Sequence, residues 1–313
     1  MIVTLTVNPA LDRTITLRDA LRPGEVQTAS SAREDAGGKG INVSRVVSAA
    51  GVRTRAVLPL AADDPFRATL NAAGLAVRPV PVERLARTNL AITDPAGVTT
   101  KLNLPGAPLT VADADAMLSA VVETSADADW LVLAGSLPDT LDDMFYADVV
   151  RAVRDRWGTR APKVAVDASG PALRNVVEHA AVDLIKPNDE ELADLVGGPI
   201  DQNDLDAAVA AVARGIVPGR VAAALVTLGG AGAVLVTADG AWCAAAPRIR
   251  VVSTVGAGDS SLAGYLLADL AGEQPADRLR SAIRYGAAAA SLPGTQVPSS
   301  ADLGDDDIIV RSL

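Results

Sequence analysis

Ser253-Thr-Val-Gly-Ala-Gly-Asp259 runs straight into a helical pattern in which Leu262, Leu266 and Leu270 recur every fourth residue. Glycines at 256 and 258 admit backbone conformations closed to other residues, so consecutive N–H groups can converge on one anion. The following helix adds the positive end of its dipole to the same spot. An acidic side chain, Asp259, stands at that junction. A carboxylate beside an anion nest suits a base that strips a proton from an alcohol, while the backbone of Gly256, Ala257 and Gly258 steadies a phosphoryl group in transfer. The local pattern alone also allows Asp259 to be a helix cap and nothing more.

Two other phosphate loops are excluded. A Walker A loop needs Gly-Lys-Ser/Thr, but Gly38-Lys39 is followed by Gly40, and Arg33 stands where the first glycine belongs. The dinucleotide fingerprint needs a third glycine where this chain has Ser261.

Further candidates are scattered along the chain. Gly37-Gly-Lys-Gly-Ile-Asn42 opens a helix: Gly38 lets a sugar approach the backbone, Lys39 offers a charge for phosphate, and Asn42 both donates to and accepts from hydroxyls. Asp12, just past the first strand, could accept from a pair of hydroxyls. Lys186-Pro-Asn-Asp-Glu-Glu191 follows a buried strand, and Asn188 with Glu191 gives two oxygen donors on one helical face, suited to magnesium or its water shell. Glu190 is adjacent and stays open as an alternative, as does an ordinary acidic first helical turn. Thr227-Leu-Gly-Gly-Ala-Gly232 ends a strand and could meet nucleotide phosphates or ribose through Thr227, Gly229 and Gly232. Either Arg87 or Lys101 could bind a phosphate that the substrate already carries.

These residues need rigid elements to hold them. Short apolar runs at Ile2–Val7, Trp130–Leu133, Val164–Val166, Leu184–Ile185, Ala223–Leu228 and Ala233–Val236 read as strands buried on both faces. Between them lie helical patterns at Ile41–Ala50, Ala112–Ala126, Leu141–Arg156, Glu190–Val196, Leu205–Ala213 and Leu279–Ser291. The alternation predicts an α/β fold with a mostly parallel sheet covered on both sides, ligands lying beyond the strands' carboxyl ends. Thr14–Leu17 with Val26–Thr28, and Asn89–Thr93 with Thr99–Leu104, break that rhythm with a period of two and read as hairpins. They form either a small lid sheet or an extension of the main sheet. The acidic end, Asp302 and Asp305–Asp307, reads as a solvated tail.

Composition narrows the partners. The 313 residues carry a net charge of −10, which argues against nucleic acid but not against a small anionic substrate. Cys243 and His179 are the only residues of their kinds, so an intrachain disulfide, a zinc site and a histidine-based triad are excluded, in keeping with a cytoplasmic protein. Val221–Ala238 carries no charge, but its central glycines split it into two short strands, so no membrane span is expected.

Taken in order, Asn8-Pro-Ala-Leu-Asp12, Gly37-Gly-Lys-Gly-Ile-Asn42, Gly135-Ser-Leu-Pro138, Lys186-Pro-Asn188 with Glu191, and Thr254-Val-Gly-Ala-Gly-Asp259 resemble the ribokinase-like carbohydrate kinases, the phosphofructokinase B family. The resemblance spans nearly the whole chain. It implies a ribokinase-like three-layer core over residues 1–313, one domain, with a discontinuous β-lid at about 12–34 and 87–105. Pro105-Gly106, Pro293-Gly-Thr-Gln296, Lys39 and the 254–260 block look most like the 1-phosphofructokinase branch, whose implied reaction takes ATP and fructose 1-phosphate to ADP and fructose 1,6-bisphosphate. Leu104 stands where that branch usually carries an acidic residue and is closer to related 6-phosphofructokinases; Asp139-Thr140 replaces the usual Pro-Gly. A tagatose-6-phosphate kinase, a kinase of an unphosphorylated sugar or nucleoside, and a non-catalytic sensor are the other readings.

Carried over, the family's roles make Asp259 the base and the 256–258 nest the anion hole. Asp12, Gly38 and Asn42 hold the sugar, Lys39 and Arg87 its phosphate, with Lys101, Asn103 and Ser136 as further substrate contacts. Lys186, Asn188, Thr227, Gly229 and Gly232 face ATP, and Asn188 with Glu191 organises Mg2+. The resemblance also implies a homodimer, since members of that family often pair through their lids.

Overall fold

The computed structural model describes residues 1–106, 108–304 and 307–313. From the N-terminus run β1 (Ile2–Leu5), β2 (Ala10–Leu17), β3 (Ala29–Gly37), α1 (Lys39–Ala49), β4 (Thr54–Pro59), α2 (Phe66–Ala72), β5 (Val77–Val80), β6 (Arg87–Thr93) and β7 (Thr99–Asn103). The middle of the chain gives α3 (Val111–Thr124), β8 (Trp130–Ala134), α4 (Phe145–Trp157), β9 (Lys163–Asp167), α5 (Gly170–His179), β10 (Leu184–Ile185), α6 (Asp189–Val196) and α7 (Leu205–Arg214). The last third adds β11 (Ala223–Thr227), β12 (Ala233–Thr237), β13 (Gly240–Ala244), α8 (Ala257–Leu270), α9 (Pro275–Ala290) and β14 (Arg311–Ser312).

Among the described residues, ten strands form one sheet in the order β14-β13-β12-β11-β10-β9-β8-β1-β4-β5. Pairing is parallel from β5 to β11 and antiparallel from β11 to β14. Because strand side chains alternate, each apolar run supplies two cores. Val3, Leu5, Leu131, Leu133, Val164, Val166 and Ile185 pack with Met117, Val149, Val153, Leu173, Leu192 and Val209 of α3 to α7. Ile2, Trp130, Val132, Ala165, Leu184 and Leu225 pack on the other side with Val43, Val46, Leu262, Leu266, Leu279 and Ile283 of α1, α8 and α9. The expected helix–sheet–helix sandwich is present. The uncharged stretch 221–238 folds as the antiparallel pair β11–β12 around a short 3-10 turn at Gly229–Ala231. Among the described residues no helix is long and apolar enough to cross a membrane.

The two period-two segments form a separate four-stranded sheet, β3-β2-β6-β7, and do not extend the main one. Its second hairpin lies where the pattern put it, but the first does not. β2 pairs with Ala29–Gly37, not with Val26–Thr28, and Val26 is fully exposed in the connecting loop. The true partner strand, Ala-Ser-Ser-Ala-Arg-Glu-Asp-Ala-Gly, is largely polar and exposed, so apolar alternation does not mark it. The two hairpins join through β2 and β6, which run parallel.

The acidic end is solvated at Asp302 and Asp307, as expected, but the segment is not a loose tail. Asp302 accepts from the Ser299 N–H and hydroxyl as a capping residue, Ile308 is buried, and β14 pairs with β13. Asp305 and Asp306 lie outside the described residues.

α8 is buried nearly all round between α1 and α9, and a glycine sets the closeness of that contact. A Cβ at Gly264 would lie 2.7 Å from the Ser281 carbonyl oxygen and 2.8 Å from Tyr285 Cδ2. Gly264→Ala must push α9 away, and overpacking of this kind costs about 1–3 kcal/mol. Urea unfolding reads that loss directly, and an unchanged midpoint would show that the helices separate freely.

Candidate active site

The loops that carry the candidate residues converge at the carboxyl ends of the central strands. β9 ends on Asp167, the chain leaves β10 through Lys186, and β11 ends on Thr227. Gly256, at φ 77°, takes the left-handed conformation that caps α8, so the N–H groups of its first turn face the cleft. Ala257 N–H leans back toward the Thr254 carbonyl at 3.4 Å.

A cleft of about 710 Å³ is lined by Gly38, Lys39, Asn42, Arg87, Asp167, Lys186, Asn188, Glu191, Thr227, Gly229, Gly232 and the run Thr254–Asp259. A second cavity, about 700 Å³, lies under the lid between Asp12, Thr14, Asn89, Lys101 and Asn103 on one side and Val251–Val255 with Pro293–Thr295 on the other. Asn89, Val251, Thr254 and Val255 line both. The two chambers therefore share a wall beside the glycine nest.

Asp259 sits in the larger cleft and is only 6% exposed. One carboxylate oxygen accepts from Asn42 Nδ2 at 2.8 Å. Burial, then the nearby Asp167 charge, pushes its pKa up to about 6, against the opposing pull of Asn42, Lys39 and Lys186. That value lies near neutrality, where a proton acceptor works best.

Asp167 was not singled out by the sequence, yet it organises the cluster. It is 1% exposed, accepts from Lys39 Nζ at 2.8 Å, and lies 3.3 Å from Lys186 Nζ. Burial works against its ionised form, but Lys186 and Lys39 hold its pKa below the ordinary carboxylate range. Burial likewise opposes the Lys39 ammonium, and Asp167 overrides it to raise that pKa. The one signal was an acid closing the apolar run Val164-Ala-Val-Asp167 at a strand's carboxyl end.

Lys39, read from the sequence as a phosphate contact, shares the larger cleft with Arg87. The lysine lies there between Asp167 and Glu191, whose Oε1 is 4.0 Å away. Gly258 is part of the same packing, since a Cβ there would lie 3.3 Å from Lys186 Nζ.

Asn188 and Glu191 form a reciprocal capping box at the start of α6. The Asn188 side chain accepts from Glu191 N–H at 2.7 Å, and Glu191 Oε2 accepts from Asn188 N–H at 2.9 Å. The ordinary helix-start reading is therefore realised, and only Glu191 Oε1 is left outside the cap. Among the described residues no group of three or more His, Cys, Asp or Glu could hold a metal.

On the lid side, Asp12 Oδ1 accepts from Asn89 Nδ2 at 2.9 Å, and burial raises the Asp12 pKa despite that bond. A Cβ at Gly37 would overlap this carboxylate, so any side chain there has to displace Asp12. Gly38, at φ 118°, has no space for a side chain, since a Cβ there would lie 2.7 Å from Thr6 Cγ2. Asn89 also went unread; it is in register with Asp12 and Asn103, which places all three on the sheet face toward the cavity. Arg87 lines the larger cleft and reaches the Leu104 carbonyl at 3.4 Å. Ser136 is the outlier: it accepts from Asn8 Nδ2 at 3.3 Å and lines neither chamber.

Similarity to solved structures puts this architecture among the ribokinase-like folds. The crystal structure of phosphofructokinase-2 from Escherichia coli in complex with substrates and products matches with a TM-score of 0.88 at 28% identity, covering 96% of each chain. The model of the pfkB family carbohydrate kinases matches residues 6–302. The 1-phosphofructokinase of Haloferax volcanii is 36% identical over 97% of this chain and 95% of its own, and that of Rhodobacter capsulatus is 33% identical over 95% and 92%. The chain belongs to the pfkB family of carbohydrate kinases. It is a phosphotransferase with an alcohol acceptor and ATP as the phosphate donor.

Proposed function

We propose that this enzyme phosphorylates fructose 1-phosphate to fructose 1,6-bisphosphate, with Asp259 as the base. The observation that carries the reading is the buried Asp259 carboxylate, its pKa raised to about 6, beside the nest where two chambers share a wall. ATP occupies the larger cleft, between Lys186, Thr227 and the glycines at 229 and 232, and the sugar lies under the lid against Asp12, Lys101 and Asn103. Asp259 takes the proton of the acceptor hydroxyl as its oxygen bonds to the γ-phosphorus. The bond from that phosphorus to the bridging oxygen breaks, and ADP leaves with the electron pair. The nest N–H groups, Lys186 and Lys39 face the charge that builds on the transferring group. Arg87, on β6 two residues before the Asn89 that lines both chambers, is the residue we assign to the phosphate that the sugar already bears.

Mg2+ fits as an ion shared with ATP. Such ions use one or two carboxylates plus substrate phosphates, and Glu191 Oε1 is the oxygen outside the helix cap. When bound, the ion neutralises phosphate charge; Asn188 contributes by holding Glu191 in place. A reaction that consumes ATP and a phosphosugar belongs in the cytoplasm.

Two identical chains are proposed to pair through their lids. Strand alternation puts Ile15, Ile92 and Leu102 on the sheet face opposite the cavity, with Ile15 and Ile92 in register and Leu102 exposed. Residues 1–313 are proposed as one domain with the lid inserted at about 12–34 and 87–105.

A second reading, a 6-phosphofructokinase, draws on the apolar Leu104 and on the resemblance to phosphofructokinase-2. Turnover on fructose 1-phosphate, fructose 6-phosphate, tagatose 6-phosphate and ribose, measured side by side, decides between them. We expect kcat/KM to be highest for fructose 1-phosphate, with Arg87→Ala raising KM for the phosphosugar. Preference for ribose, or an Arg87→Ala enzyme with unaltered KM, would remove the phosphosugar assignment.

A further inference from the structure

Arg45 is a nearly buried cation on α1 that no part of the reaction described so far uses. Its side chain is 10% exposed. Taking a guanidinium out of water is costly unless its donors are met, so an apolar residue would serve packing better. Its partners come from three elements. Nη1 reaches the Thr295 carbonyl at 2.9 Å, the Ala36 carbonyl of lid strand β3 at 3.2 Å and Asn42 Oδ1 at 3.4 Å, while Nη2 lies 3.8 Å from Asp35. Thr295 belongs to the turn at Pro293–Gln296, whose residues 293–295 line the sugar chamber.

The Asn42 contact reaches the site of chemistry. The Asn42 carboxamide has one end toward Arg45 and the other, through Nδ2, on Asp259 at 2.8 Å. A flipped amide would set its oxygen against the Asp259 carboxylate and its NH2 against the guanidinium, which is repulsive at both ends. A cation on one side and a carboxylate on the other therefore select one orientation. We infer that Arg45 is a positioning residue: it locks Asn42 in the orientation that donates to Asp259, and it ties that orientation to lid strand β3 and the Pro293–Gln296 turn. The inference rests on Asp259 being the base.

The groups around each end are few. Asp259 is faced by Asn42 and Lys39 of α1, Asp167 at the end of β9, and Lys186 beyond β10. Arg45 is faced by Asp35 and Arg33 of β3 and by Asp12 of β2. The Asn42 donation favours the ionised carboxylate, so its loss moves the titration of the base upward and the acid limb of kcat/KM toward higher pH.

The test compares kcat/KM against pH for the wild type, Arg45→Met, Arg45→Lys, Asn42→Ala and the Arg45→Met/Asn42→Ala double variant, with Asp259→Asn as reference. Arg45→Met is expected to lose about tenfold to a hundredfold in kcat, the scale of a small misplacement at a reacting group, and to shift the acid limb upward. Arg45→Lys keeps the charge, but one ammonium cannot span Asn42, Ala36 and Thr295, so a smaller shift of the same sign is expected. The double variant should match Asn42→Ala alone, since both changes break one relay. Additive losses in the double variant, or a wild-type acid limb in Arg45→Lys, overturn the inference; the second measurement stands even if Arg45→Met does not fold. Wild-type turnover in Asp259→Asn overturns the base assignment itself, and additivity alongside an inactive Asp259→Asn overturns the role of Arg45 alone.

Discussion

Asp259→Asn should lower kcat by about 10²–10⁴-fold, the usual loss on removing a positioned base, with ATP and phosphosugar binding largely intact. The same change should make the protein more stable. The folded-state pKa of Asp259 is raised from 3.8 to about 6, so the folded protein favours the protonated carboxyl. The stability gained from that proton is complete below 3.8 and is lost as pH rises through about 6. At about 1.4 kcal/mol per pKa unit, the ionised side chain destabilises the fold by on the order of 3 kcal/mol at neutral pH and above. Thermal unfolding should show Asp259→Asn melting above the wild type at pH 8 and level with it near pH 4. Retained turnover would sink the base assignment, and a variant that melts lower at pH 8 would sink the account of burial.

The other large effect is expected at Asp167. Asp167→Ala leaves the buried Lys186 ammonium and Lys39 without their shared partner. Breaking one side of a buried ion pair typically costs about 3–5 kcal/mol, and the loss should appear in urea unfolding together with a raised KM for ATP. The pH dependence has the opposite sense to that of Asp259. The Asp167 pKa is held below 3.8 in the fold, so its contribution is present above 3.8 and is lost as pH falls through the folded value. The gap between wild type and variant should therefore be wide at pH 7 and close in strong acid. A variant within 1 kcal/mol of the wild type, by the roughly linear urea extrapolation, would mean that the two lysines find other partners.

Local signals in the chain account for the sandwich and for the nest. Apolar runs such as Trp130–Ala134 are buried on both faces, and Gly256-Ala-Gly258 before Leu262, Leu266 and Leu270 marks the start of α8. The strands that were missed lack that signature. β4 begins Thr-Arg, β5 includes Arg78 and Pro79, and β3 is mostly polar. The parallel join of β2 to β6 pairs residues more than seventy positions apart, and no window of sequence reports it. Candidate residues inside motifs could be named singly, but their partners could not. Lys39 reads as a phosphate contact, but nothing near it in sequence reports that its partner is Asp167, 128 residues away. Asn188 and Glu191 suggest a metal until their backbone bonds show how much of each is committed to the helix start.

One feature of the fold bears on how such enzymes diversify. α8, which carries the proposed base and anion cradle, is wedged between α1 and α9, with Gly264 tight against Ser281. The chamber proposed for the acceptor is walled largely by a second sheet, fed from two separate stretches of chain, with polar side chains at Asp12, Asn89, Lys101 and Asn103. Exchanges on that outer sheet can thus retarget the molecule to a different carbohydrate while the reacting centre stays as it is. On the proposed assignment of the two chambers, substrate choice and chemical competence are separately heritable.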